Sequence, residues 1–107
     1  MALTRDFKET IRDRVQRDPA FRKALLAKSI EAFLSGDIET GKSVLRDSIN
    51  ATVGFKEVGR NLKRSPKSIM RMLGSHGNPQ AQNLFEIIAY LEREEGVALK
   101  VRLAKAS

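Results

Sequence analysis

Each of the three prolines in this 107-residue chain follows a side chain able to cap a helix: Asp18-Pro19, Ser65-Pro66 and Asn78-Pro79. A short oxygen-bearing side chain accepts a hydrogen bond from a free N–H of the first helical turn, and proline at the next position gives up an N–H that has no partner there. Inside a helix proline breaks the ladder, so helices should begin at these three points and none should run through them. Stops are supplied by Ser35-Gly36, Gly54, the 74–79 loop and Gly96. Between starts and stops the apolar residues recur at helical spacing. Phe21, Leu25, Leu26, Ile30, Phe33 and Leu34 give a broad face ahead of Gly36. Asp37 caps a further helix to about Ala51, with Ile38, Val44, Leu45 and Ile49 inward and Gly41 permitting a close crossing. Leu84, Ile87, Ile88 and Leu91 mark the last helix, to about Glu95. Upstream, Thr4 opens a helix to about Arg17 with a thin stripe of Phe7, Ile11 and Val15, either packed on the body or presented to a partner.

The segment from Phe55 to Leu73, FKEVGRNLKRSPKSIMRML, reads as two short helices with a sharp break. Val58, Gly59 and Leu62 face inward on the first; Ile69, Met72 and Leu73 do so on the second. Lys63, Arg64, Lys67, Ser68 and Arg71 point outward. A small residue where two helices cross, a tight turn and a basic, capped second helix suit insertion into a major groove.

This pattern resembles the helix-turn-helix of the Cro/C1-type repressor family. The resemblance rests on Val58-Gly59 and Leu62 in the first helix and on Ser65, Ile69 and Arg71 in the second. It continues through Pro79, Leu84, Ile87 and Leu91 in the helix that follows. Many family members begin the first helix with a phosphate-touching Gln, where this chain has Gly54 and Phe55. Within the family, SPKSIMRML and GNPQAQNLFEIIAYLE are similar to antidote (antitoxin) proteins of bacterial addiction modules, over roughly Asp37 to Leu91. The resemblance implies a lambda-repressor-like fold, double-stranded DNA and a cognate toxin as partners, and repression of the protein's own operon.

Charge agrees. The net charge is +7, and its distribution is uneven. Residues 54–77 hold Lys56, Arg60, Lys63, Arg64, Lys67 and Arg71 against Glu57 alone, whereas 78–96 hold Arg93 against Glu86, Glu92, Glu94 and Glu95. A charge run is ordinarily a solvated face, but this one coincides with the groove-reading pattern. Cysteine is absent, which removes disulfides and thiolate chemistry and agrees with a reducing, cytoplasmic setting. No apolar run reaches the length of a membrane span, and MALTRDFKET lacks the core of a secretory signal. An enzyme is not expected. His76 is the only histidine, no acid stands at a spacing that would orient it, and no metal set or cofactor motif is present. RNA binding lacks an aromatic stacking platform.

After Gly96, VALKVRL alternates, with Val97, Leu99, Val101 and Leu103 on one face. That is strand periodicity, and a strand must pair with something: its copy in a second subunit or a toxin. The expectation is therefore an all-α compact bundle of about six helices with a short C-terminal β-strand. Residues 1–36 would be a helical extension packed on the same domain, 37–96 the DNA-binding domain and 97–107 the strand and tail. Lys67, Ser68, Met70 and Arg71 are the base-reading candidates. Lys56, Arg60, Lys63, Arg64, Ser65, His76 and Asn78 are the phosphate candidates. A homodimer is expected through Phe85, Tyr90, Val97, Leu99 and Val101. The alternative is an interaction module whose main role is neutralising a toxin through residues 4–34.

Overall fold

The computed structural model of the chain describes residues 17–106. Five helices follow one another: α1 (Pro19–Leu34), α2 (Ile38–Ala51), α3 (Gly54–Leu62), α4 (Pro66–Met72) and α5 (Ala81–Glu95). The helix expected from Thr4 to about Arg17 lies, but for Arg17, outside the described residues. No helix among those described is long and apolar enough to cross a membrane.

Two of the three proline starts hold as read. Asp18 Oδ1 accepts from the Phe21 N–H at 3.1 Å, and Ser65 Oγ from the Ser68 N–H at 3.1 Å. Asp37 Oδ1 does the same for Thr40 at 3.2 Å. The third start is displaced. Gln80, extended at φ −68° and ψ 147°, precedes the last helix, which opens at Ala81 with no side-chain cap. The reason lies just before it. Gly77 is wedged against the end of α4 and its carbonyl is held by Lys42 at 2.8 Å, and residues 78–80 carry the chain on without regular structure before the helix begins.

One core receives every helix: Leu26 from α1, Leu45 and Ile49 from α2, Phe55 and Val58 from α3, Ile69 from α4, Leu73, then Ile87, Ile88 and Leu91 from α5. Because Leu26 is only 1% exposed, α1 belongs to this core and is not an appendage. It lies along α2, with the Phe33 ring filling the space above Gly41, where an added Cβ would come within 2.6 Å of the ring. Phe21, Leu34 and Ile38, expected inward, stay exposed. They sit near or at helix ends. A second link ties α1 to α5: Arg22 Nε donates to Glu95 Oε1 at 2.8 Å.

Two serines are buried on the facing helices. Ser29 Oγ donates to its own Leu26 carbonyl at 2.7 Å. Ser48, 1% exposed, is the described buried side chain whose oxygen has no partner. Burying an unpaired hydroxyl is unfavourable, so Ser48→Ala should raise stability by about 1 kcal/mol. A higher urea midpoint at unchanged slope is the expected result; a lower midpoint would show the hydroxyl to be satisfied.

The expected C-terminal strand is corrected. Residues 97–106 have no regular structure, and no strand forms among the described residues. Gly96 turns the chain at φ +66°, the Val97 N–H bonds the Glu92 carbonyl at 2.9 Å, and the Leu99 N–H bonds Glu92 Oε2 at 2.7 Å. Val97 and Leu99 pack on the core, while Val101 and Leu103 are 83% and 95% exposed. A strand needs a neighbouring strand to take its backbone groups. An all-helical body offers none, so the alternating pattern becomes a docked start and a free end.

Candidate nucleic-acid interface

α3 and α4 are joined by a turn that closes on Gly59. Lys63 adopts the left-handed conformation (φ 57°, ψ 44°), and the Arg64 N–H returns to the Gly59 carbonyl at 2.8 Å. This is the hydrogen-bonded reversal that ends many helices, here with lysine at the position glycine favours. The reversal lays Arg64 over Gly59, where an added Cβ would stand 2.5 Å from the Arg64 carbonyl oxygen and 3.3 Å from Pro66 N. Glycine is needed because the chain folds back on it.

The capped start and the buried Ile69 then fix which side of α4 faces out. Lys67, Met70 and Arg71 are exposed, as are Lys63, Arg64 and Ser65 in the turn and His76 and Asn78 beyond it. Ser68 is half-buried and gives its N–H to the Ser65 cap. On α3, Lys56 and Arg60 are exposed. Arg60 Nη1 lies 3.2 Å from Glu57 Oε1, which offsets part of its positive field. Among the described residues no carboxylate pairs with Lys63, Arg64, Lys67 or Arg71. Four cations within nine residues therefore face solvent without an acid to neutralise them.

Arg64, Ser68, Arg71, His76 and Asn78 share one open cleft of about 420 Å³, which Pro79, Gln80 and Asn83 also line. Five expected contact residues, separated by as much as fourteen positions, are thus brought to one surface. Lys63, Ser65, Lys67 and Met70 lie on the same turn and helix but do not line the cleft; Lys56 and Arg60 remain on α3. Asn83 was not legible as a site residue, yet its Oδ1 accepts from Arg64 Nη2 at 3.3 Å. Chemically the surface offers guanidinium, ammonium, amide and hydroxyl donors, the set that suits phosphate oxygens and the acceptor edges of bases.

Two further residues were missed because their pattern is that of any solvated helix face. Lys42 and Arg46 lie one turn apart on α2. Lys42 Nζ donates to the carbonyls of Gly74 at 2.9 Å and Gly77 at 2.8 Å, and Arg46 Nη1 donates to that of Leu73 at 2.6 Å. They meet the carbonyl end of α4, where positive charge is favoured by the helix dipole.

The residues considered for a subunit interface divide. Phe85 and Val101 are exposed. Tyr90, Val97 and Leu99 pack against the chain's own core. The Tyr90 hydroxyl donates to Glu94 Oε1 at 3.1 Å and the Arg93 guanidinium stands 5.9 Å from the ring centre. Burial, and then the bond to Glu94, push the Tyr90 phenol above its ordinary value.

Set beside known proteins, the chain matches no family model, no curated protein and no solved structure.

Proposed function

We propose that the chain is a sequence-specific DNA-binding repressor of the helix-turn-helix type, acting in the cytoplasm as a homodimer. The observation that carries this reading is the outward face of α4. Lys67, Met70 and Arg71 face solvent on a helix anchored from behind by Ile69. In the mechanism, α4 enters the major groove. Arg71 donates two hydrogen bonds to guanine O6 and N7, and Lys67, one turn earlier, donates to the same kind of acceptor. Met70 meets a thymine methyl, and Ser68 stands second to these. Arg64, Ser65, Lys63, His76 and Asn78 hold phosphates and set the register, and Lys56 and Arg60 add longer-range attraction. One module of this size reads few base pairs, so two copies on half-sites about one helical turn apart are the natural arrangement. The resemblance to addiction-module antidotes supports a further step: the promoter bound is the protein's own, and a toxin is the second partner.

The test is a salt-titrated binding assay on that promoter with a binding-site selection. Arg71→Ala should cost about 1–3 kcal/mol and relax preference at one base position. Lys63→Ala should instead weaken all duplexes alike and flatten the salt slope by about one unit. An Arg71→Ala protein that selects the same site as wild type overturns the assignment.

A second reading, in which toxin neutralisation is the main role, is favoured by the exposed Phe21, Leu34 and Ile38, which leave apolar surface near the ends of α1 and α2. Cutting the chain before Asp37 does not test it, because Leu26 would leave the core with α1. Partner binding in a protein whose promoter titration shows no sequence preference would support this second reading.

A further inference from the structure

We propose that Lys42 is a positioning residue for DNA reading: held inside the fold, its ammonium sets the angle at which α4 and the loop after it are presented. The proposal rests on the DNA-binding reading above and concerns how that surface is held.

α4 is short: it is seven residues long, with Ile69 buried within it, Leu73 buried just past its end and Met72 packed partly against the core. These anchors lie on its inner side, whereas Arg71, between Ile69 and Leu73, faces solvent. Beyond Leu73 the chain is held by hydrogen bonds from cations on α2. Lys42 is 1% exposed, which lysine tolerates only when its charge is met by partners. Its three protons have three acceptors: the carbonyl oxygens of Gly74 and Gly77, and Glu39 Oε2 at 2.8 Å. Arg46 takes the preceding carbonyl, that of Leu73. The loop so held lies against Arg71 itself, because a Cβ on Gly77 would overlap the carbonyl oxygens of Arg71 and Met72. One ammonium on α2 therefore governs both the direction of the Arg71 side chain and the placement of His76 and Asn78. Packing in this region needs no charge, since an aliphatic side chain of similar length would fill the same volume. What a cation adds is directed bonds to chosen backbone oxygens.

The experiment compares wild type with Lys42→Met, Lys42→Arg and Arg46→Met in the full-length chain. Two quantities are read: amide hydrogen exchange, and, across a salt titration, the ratio of affinities for the protein's own promoter and a random duplex. In Lys42→Met, exchange at residues 73–78 should rise about tenfold, as loss of charged hydrogen bonds implies, while the amides of Leu45, Ile49 and Leu91 keep their protection. The affinity ratio should fall about tenfold with an unchanged salt slope, because no phosphate contact has been removed. Lys42→Arg should recover part of the ratio. Arg46→Met, at a half-buried position, should show the same localised pattern more weakly, and decides the matter if Lys42→Met does not fold. Exchange that rises uniformly over the molecule reduces Lys42 to a stabilising residue and overturns the proposal. An unchanged ratio beside a discriminating wild type does so as well. A wild type without promoter preference overturns the DNA reading and this role together, which separates the two failures.

Discussion

Gly59→Ala should lower the free energy of unfolding by about 2 kcal/mol, the cost of forcing extra volume into a packed site. This runs against local preference, since alanine is the better helix former by about 1 kcal/mol. The tertiary term wins because of what the new methyl meets. Its nearest neighbour, at 2.5 Å, is the backbone carbonyl oxygen of Arg64, with Pro66 N at 3.3 Å. Neither is the end of a flexible side chain. Arg64 is itself tied to the Gly59 carbonyl at 2.8 Å, so the turn cannot retreat without losing the bond that closes it. Separating α3 from the turn would also tilt α4, so the variant should lose DNA preference in the fraction that stays folded. The check is a urea midpoint against Asn61→Ala, an exposed position on the same helix where a change within about 0.5 kcal/mol is expected. A Gly59→Ala protein as stable as wild type would show that the turn yields.

Arg22→Met should be more damaging still, by about 3 kcal/mol, for an electrostatic reason. The Arg22 and Glu95 side chains are 18% and 7% exposed and bonded at 2.8 Å. Removing the arginine leaves a carboxylate with little water and no counter-charge. The cost is set at the low end of the range for buried pairs because a cleft of about 320 Å³, lined by Arg22, Thr52 and Glu95, opens beside it and lets water reach the orphaned group. Arg22→Met combined with Glu95→Met should recover part of the loss, since the Glu95 carboxylate is then no longer stranded. A double-mutant cycle by chemical denaturation measures this. Single variants that cost no more than a surface pair, about 0.5 kcal/mol, would mean that α1 docks on α5 through its apolar contacts alone.

Much of the helical layout was legible because its signals are local. Asp18-Pro19, Asp37 and Ser65-Pro66 start helices through bonds to residues three positions away, and Gly36 and Gly96 end them in left-handed turns. The inward face of α5 was legible for the same reason: Ile87, Ile88 and Leu91 recur at the helical period and are buried. Asn78-Pro79 carried the same signal and misled by two residues, because Lys42 and the wedged Gly77 hold the chain there. The C-terminal alternation also misled. Period two says that a segment is extended and half-buried, not that a second strand exists to receive it, and Val97 and Leu99 pack, partly buried, against the helical core instead.

Of the candidate site, the outward placement of Lys67 and Arg71 follows from Ile69 and the cap, which the chain encodes within a few residues. Their meeting with Arg64, His76 and Asn78 around one cleft does not, nor does the part played by Asn83. Least visible of all was Lys42, which as a letter in a helix is indistinguishable from Lys56 or Lys67. The sequence by itself determined where helices begin and end, which faces are apolar and where positive charge collects, since each is settled by neighbours within a turn or two. The tertiary structure alone decided which basic side chains are spent inside and which are left to face a partner. A buried ammonium is stable only where distant carbonyls converge on it, and their convergence exists only once α2 and the end of α4 have packed together.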